Sequence, residues 1–425
     1  MLRALPMLLL FSCLLAAQPA QDPVALARKA LDAVLNDRYA EFLKGATADL
    51  QKALPEPALT KVMAQVKAHG AVDKIENPES TKIGPNTAVV IPVKFADQQG
   101  INFRFLVTSS GLVGGFFMLP GETPWTRPAY SKPDTFTERA VTVGDGEWKL
   151  PGALTMPNGA GPFPGVVLVH GSGGNDRDET VGGVKVFKDL AEGLASRGIA
   201  VVRYEKRTRQ YANRMSGLSR FTLHDETVED AVKAAALLRA QQGIDGKRIF
   251  VIGHSLGGYA APRIAAEDTE LAGLILMAGN ARHLEDLVVD QVISQGGSAK
   301  ALENAKALQA KVKSLEPGDE DSPAVLNAPV SYWLNLKDYD PVADAARIGK
   351  PMLILQGERD FQVTTKDFEM WKAGLAKNKD VTFKSYPALN HLFVAGEGKS
   401  TAAEYVKPGH VAPEVIEDIA GFVKK

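Results

Sequence analysis

Cysteine is nearly absent. Cys13 is the one thiol in 425 residues, and it lies inside an apolar N-terminal stretch. If that stretch is removed, the remaining chain has neither a disulfide nor a thiol nucleophile. An excess of one charge is also lacking, since 49 basic residues face 50 acidic ones and the net charge is −1. That balance offers no basic patch for nucleic acid and no acidic tract for a cationic partner. No His, Asp and Glu cluster has metal-ligand spacing, and no cofactor motif appears, so neither a metal nor a cofactor is expected. No internal repeat and no low-complexity segment interrupts the chain. With 45% hydrophobic residues there is ample material for a globular core.

The first twenty residues read as a secretory signal. Arg3 supplies the positive end, Leu5 to Ala16 is an apolar run too short to span a bilayer, and small residues follow. Cleavage is expected after Ala17 or Ala20, which makes the mature protein secreted or periplasmic. Lipid attachment at Cys13, after Leu10-Phe11-Ser12, is the lesser alternative, because apolar Leu14-Leu15 continues beyond it.

Residues 21–120 are expected to form a small α+β domain. Helical spacing of Val24, Leu26, Ala30, Leu31, Val34 and Leu35 gives way after Pro55 and Pro57 to a second helical stretch, Ala58 to Ala68. Extended runs follow at Thr87 to Phe95, Ile101 to Thr108 and Leu112 to Leu119. Pro120, Pro124, Pro128 and Pro133 mark residues 121–136 as a linker. Residues 137–425 have another rhythm, with two strands followed by buried-type strands alternating with helices. The apolar runs Val166 to Val169, Ala200 to Tyr204, Arg248 to Ile252, Leu274 to Met277 and Met352 to Leu355 suit parallel strands covered on both faces. Helices are expected near Val186 to Arg197 and Thr227 to Gln241. A helical insertion at about 283–346 is placed to cap the strands' C-terminal edge.

One motif dominates. Gly253-His254-Ser255-Leu256-Gly257, followed by Gly258, sits between the strand Arg248 to Ile252 and a helix-compatible run, Tyr259 to Ala266. A serine on such a sharp strand-to-helix turn has its hydroxyl lifted clear of the sheet, and the flanking glycines leave room for the tight turn. Ser255 is the expected nucleophile. A serine hydroxyl needs a base and an orienting acid, which should follow it in the chain in the order acid, then histidine. Among seven histidines, only His391 and His410 follow every plausible acid. His391 lies just past the last strand, Val381 to Tyr386, whereas His410 precedes the final helix and suits packing. For the acid, Asp360 and Glu358 compete in Gln356-Gly357-Glu358-Arg359-Asp360, and turn geometry favours Asp360.

Stabilising an oxyanion requires free backbone N–H groups. The loop His170-Gly171-Ser172-Gly173-Gly174 should supply one, from Ser172 or from Gly173, and Leu256 the other. A phosphate-binding reading of this loop fails, because no Gly-Lys-Ser/Thr follows it. His170 and His254 read as structural hydrogen-bonders in tight turns. Arg203, Lys206, Arg207 and Arg209 read as a solvated basic loop with a lesser prospect of touching an anionic substrate. Met277 and Trp333 read as core or cap packing.

These segments resemble the α/β-hydrolase superfamily, with greatest likeness to secreted bacterial esterases related to dienelactone hydrolases and the prolyl oligopeptidase-like group. The likeness runs from about Thr137 to Lys425. It is carried by His170 to Gly174, Arg203-Tyr204-Glu205-Lys206-Arg207, Gly253 to Gly258, Leu355 to Asp360, and Leu389-Asn390-His391-Leu392-Phe393. The resemblance implies Ser255 as nucleophile, Asp360 as acid and His391 as base. It departs at Glu205-Lys206-Arg207-Thr208, where relatives commonly carry Asp-Lys-Arg-Gly, and at Leu256, where many carry Glu. The expected substrate is a small-molecule carboxylic ester, with peptidase or thioesterase action as the runner-up. A catalytically inactive binding protein is the remaining alternative. It is disfavoured because serine, acid and histidine are all present.

Overall fold

The computed structural model describes residues 22–97, 100–121, 125–326 and 328–425. The expected signal, its cleavage sites and Cys13 lie outside these residues. The chain divides between positions 123 and 124 into two compact units.

In the first unit, α1 (Pro23–Leu35) begins at Asp22, whose carboxylate accepts the Val24 N–H. Then come α2 (Tyr39–Lys44), α3 (Ala48–Ala53) and α4 (Glu56–Lys67). Five antiparallel strands follow: β1 (Val72–Ile75), β2 (Glu79–Ile83), β3 (Asn86–Phe95), β4 (Gly100–Val107) and β5 (Val113–Pro120). Both β1 and β2 pair in succession with one edge of β3. Neither was anticipated, because their side chains are all exposed and carry no alternating apolar signal. The core of the unit joins α1 and α4 to β3 and β4 through Leu31, Val34, Leu59, Met63, Ile91 and Phe105.

The second unit is an eight-stranded mixed sheet covered by helices. It opens with β6 (Phe136–Val143) and β7 (Leu150–Pro157), which are antiparallel. Next come β8 (Phe163–Val169), the two-residue strands β9 (Thr180–Val181) and β10 (Val184–Lys185), α5 (Val186–Ala195) and β11 (Ala200–Tyr204). After the short α6 (Arg207–Gln210) and α7 (Ala212–Ser216) the chain runs through α8 (Glu229–Arg239), β12 (Ile244–His254), α9 (Leu256–Glu267) and β13 (Gly273–Met277). Then α10 (Leu284–Ser294), α11 (Ala299–Lys313), α12 (Val330–Leu336) and α13 (Pro341–Ile348) lead to β14 (Met352–Gly357), α14 (Thr365–Gly374), β15 (Val381–Tyr386) and α15 (Pro413–Lys424).

The strand order is β15-β14-β13-β12-β8-β11-β7-β6. All neighbours from β15 to β11 are parallel; β7 alone is reversed, and β6, antiparallel to β7, runs in the direction of the others. Alternate residues of each central strand serve opposite faces. Val167, Val169 and Val251 pack with α8 and α9, whereas Val166, Leu168 and Ile252 pack with α5 and α15. Each such fully buried aliphatic contributes about 1.5–3 kcal/mol. This doubly covered sheet is the doubly wound arrangement expected from the strand and helix alternation, and the α/β-hydrolase fold that the resemblance implied.

Three local differences matter for the site. The helix expected from Thr227 is preceded by a π-helical turn, His224–Val228. The expected cap contracts, because α13 packs on α9 and α14 and belongs to the helical layer. Within the segment read as linker, the Trp125 indole N–H donates to Asp189, and Arg127 and Ser131 donate to Glu192 of α5. These residues are therefore part of the second unit.

Candidate functional site

The elbow at Ser255 is made by backbone geometry. Ser255 has φ +52° and ψ −115°, a left-handed conformation that a non-glycine residue adopts only when its surroundings impose it. Its N–H donates to the Met277 carbonyl, which ties the end of β12 to β13. A Cβ on Gly253 would lie 2.2 Å from the Gly257 carbonyl oxygen, and one on Gly257 would lie 2.1 Å from that of Val169. Strand, turn and helix thus close on one another with no room for a methyl group. The first helical bond of α9 runs from the Tyr259 N–H to the Ser255 carbonyl. The N–H of Leu256, ahead of that bond, has no helical acceptor and stands at the positive end of the helix dipole.

Ser172 and Gly173 line the same cavity as Ser255 and Leu256. Gly171 abuts the Ser255 turn, since a Cβ there would lie 3.2 Å from the Cβ of Ser255. Its own N–H is engaged by Glu179 Oε1 at 2.7 Å, which leaves Ser172 and Gly173 as the residues of this loop that line the cavity.

Past the ends of β14 and β15, Asp360 and His391 meet. His391 Nδ1 stands 2.6 Å from Asp360 Oδ2, with both residues buried. The other carboxylate oxygen, Oδ1, accepts the N–H groups of Gln362 (2.7 Å) and Val363 (3.0 Å). A carboxylate held in this way accepts a hydrogen bond from Nδ1–H and so leaves Nε2 as the basic nitrogen. The competing residues are engaged elsewhere. Glu358 is exposed and accepts a bond from the Ser385 hydroxyl, and His410 Nδ1 lies 3.1 Å from Asp189.

His254 does more than cap a turn. Its Nε2 lies 2.9 Å from the His391 carbonyl oxygen, and its Nδ1 lies 2.9 Å from Glu179 Oε2. Burial pushes the imidazole toward neutrality, but Glu179 and the His391 carbonyl outweigh it and the pKa is raised. Glu179 responds in kind: burial lifts its carboxyl, His254 overrides that, and the pKa falls. This buried contact joins the Gly171 loop to the His391 loop. Sequence reasoning missed it because Glu179 is far upstream and has no motif of its own. His170, by contrast, stays local. Its Nε2 meets the Asp176 carbonyl oxygen at 3.0 Å, its ring lies between Phe187 and Tyr204, and burial lowers its pKa to about 4.

The basic run after β11 is not a solvated loop. Arg203, Lys206 and Arg207 are all buried. They pair with Glu138 and Asp178, with Glu226, and with Glu229 and Asp230 respectively. Only Arg209 of the four is exposed. Met277 is fully buried in the core, whereas Trp333 reaches the cavity.

That cavity, of about 450 Å³, opens over Ser255. The cap contributes Leu284, Leu287, Val288, Tyr332 and Trp333 to its wall. No cluster of His, Cys, Asp and Glu able to hold a metal ion occurs among the described residues.

Similar proteins can now be set beside this geometry. A family model described as the alpha/beta hydrolase family matches residues 166–405. Esterase EstD of Thermotoga maritima is 41% identical over 333 residues, covering 77% of this chain and 78% of the relative. Among solved structures, Est1E from Butyrivibrio proteoclasticus is 18% identical, with 67% of this chain and 99% of that one covered at a TM-score of 0.44. The Pyrococcus furiosus esterase PF2001 is 16% identical, with coverage of 71% and 96% and the same TM-score. On the family match and the 41% identity across most of its length, the chain belongs to the alpha/beta hydrolase family.

Proposed function

We propose that this protein is a serine esterase acting on small carboxylic esters. The observation that carries the proposal is the buried Asp360–His391 pair, joined through the His391 carbonyl to His254, the residue before a strained Ser255 whose cavity is walled largely by apolar side chains. The 41% identity to a protein named as an esterase supports the same reading. In the reaction, His391 Nε2 takes the Ser255 proton as Oγ attacks the ester carbonyl, and Asp360 steadies the imidazolium that forms. The N–H groups of Ser172 and Leu256 receive the oxyanion of the tetrahedral intermediate. Collapse releases the alcohol with the His391 proton. Water, activated by the same histidine, then hydrolyses the acyl-Ser255 ester.

Hydrolysis of p-nitrophenyl esters of increasing acyl length, beside Ser255→Ala, tests this. The variant is expected to lose at least about 10³-fold in kcat with its melting temperature retained. An unchanged rate refutes the assignment. Absent ester turnover combined with fluorophosphonate labelling of Ser255 would redirect the same machinery to thioesters or peptides.

Export belongs to the proposal as well, supported by the Arg3 and Leu5 to Ala16 pattern. The mature protein recovered from the periplasm or the medium is expected to begin after position 17 or 20. A retained Met1 would overturn that part.

A further inference from the structure

Lys206 is buried, and its ammonium makes two close contacts. Nζ donates to the Gly171 carbonyl at 2.7 Å and stands 2.7 Å from Glu226 Oε1. The first contact has a consequence through the peptide unit. In a planar trans peptide the C=O of one residue and the N–H of the next point in opposite directions. Holding the Gly171 carbonyl therefore aims the Ser172 N–H, on the other side of the same plane, away from Lys206. Asn175 Nδ2 reinforces this from the same loop, donating to the carbonyls of Gly171 and Ser172 at 3.1 Å each. The loop is also tied to Lys206 through the chain, because the Lys206 N–H donates to the Asn175 carbonyl.

Glu226 is an unusual anchor. It sits in the π-helical turn His224–Val228, a wider turn that often marks functional sites. It lines the cavity beside Ser255, yet its partner is the buried lysine. Tyr332, on cap helix α12, lines the same cavity as Glu226. A continuous line thus runs from the cavity wall at Glu226 through Lys206 to the Gly171–Ser172 peptide.

We infer that Lys206 and Glu226 are positioning residues for the oxyanion hole, acting on the Ser172 amide through the Gly171 carbonyl. The inference rests on the esterase reading above, since it presupposes an oxyanion at Ser172. The ammonium also polarises the peptide it holds, which makes the Ser172 N–H a stronger donor when negative charge develops. That interaction is realised in the transition state and hardly at all with bound ester, so its loss should appear in kcat rather than in KM.

The experiment is the double variant Lys206→Met/Glu226→Gln, which removes both charges together and strands neither in the interior. Its kcat on p-nitrophenyl acetate is expected to fall by about 10- to 100-fold with KM changed by less than about threefold. The same factor is expected for longer acyl chains, because every ester passes through the same oxyanion. Phenylboronic acid, whose adduct with Ser255 mimics that tetrahedral anion, should bind more weakly in proportion to kcat/KM. A kcat within about twofold of wild type overturns the inference. So does a loss that varies with acyl length, which would make Glu226 a specificity residue of the cavity, or boronate affinity that stays unchanged while kcat falls. If the double variant does not fold, Glu226→Gln alone, which keeps an oxygen for Lys206, is read by the same criteria with a loss of about three- to tenfold. The Ser255→Ala control separates the two claims. A Ser255→Ala protein that still turns over sinks the site itself. An inactive one beside an unaffected double variant sinks only the role of Lys206 and Glu226.

Discussion

Two histidines flanking the site show how burial alone leaves protonation undecided. His254 is buried against a carboxylate and its pKa rises, whereas His170 is buried between two aromatic rings and its pKa drops to about 4. For His170 the unfolded imidazole takes a proton near pH 6.5, but the folded one resists until about pH 4. The unfolded state therefore binds more protons between these values, and stability falls as pH drops through that window. From pH 7 to pH 5 the loss attributable to His170 is about 2 kcal/mol. Urea unfolding at both pH values should show His170→Gln losing about 2 kcal/mol less than wild type on acidification. Equal losses would mean that His170 is not held neutral. At this scale the sequence was legible where a local motif sets geometry, as with the strained turn at Ser255 and the contact of Asp360 with His391. It was opaque where meaning comes from a distant partner. Lys206 and Glu226, or Arg203 with Glu138 and Asp178, look like ordinary surface charges until the fold brings them together.

Among elements, the Gly253–Gly258 turn was the most readable, because its glycines answer a steric demand contained within a few residues. That demand predicts opposite signs for the same substitution at two places. In Gly257→Ala the new methyl would lie 2.1 Å from the Val169 carbonyl oxygen, a backbone atom of β8 that cannot swing aside. Relief requires α9 to back away from the sheet, which moves Leu256 relative to the Ser172 loop. A cost of at least about 3 kcal/mol is expected, at the upper end for overpacking, together with lost turnover. In Gly421→Ala, within α15, the methyl would meet nothing within 4 Å, and the change should stabilise by about 0.5–1 kcal/mol with activity unaltered. Thermal melts of the two variants check both signs, and a tolerated Gly257→Ala would show that the elbow is looser than described. The π-helical turn at His224–Val228 and the exposed strands β1 and β2 were not legible. The turn carries no pattern distinct from the helix it begins, and solvent-facing edge strands lack the alternation that announces a strand.

For the whole molecule, the change from helix-then-hairpin to strand-helix alternation signalled two units, and each closes its own core. The first cluster uses side chains from Ala27 to Val113, and the two clusters lining the sheet of the second unit begin beyond it, with Tyr130 and Val141 among their outer members. Where one unit starts was harder to read. Pro124 and Pro128 suggested a free linker, but the Trp125 and Arg127 side chains are spoken for by Asp189 and Glu192 on α5. A boundary drawn at 137 would take Trp125 from Asp189, and both Arg127 and Ser131 from Glu192. Asp189 is fully buried and also holds the Val411 N–H, so leaving it underused carries a cost on the order of 1–3 kcal/mol. The expectation is that residues 125–425 expressed alone unfold cooperatively and keep Ser255-dependent ester hydrolysis, while residues 137–425 melt at a lower temperature. Circular dichroism melts and p-nitrophenyl ester turnover on both fragments test this. Identical melting of the two would show that the 125–136 segment contributes nothing to the second unit, and an inactive 125–425 fragment would make the first unit part of the working enzyme.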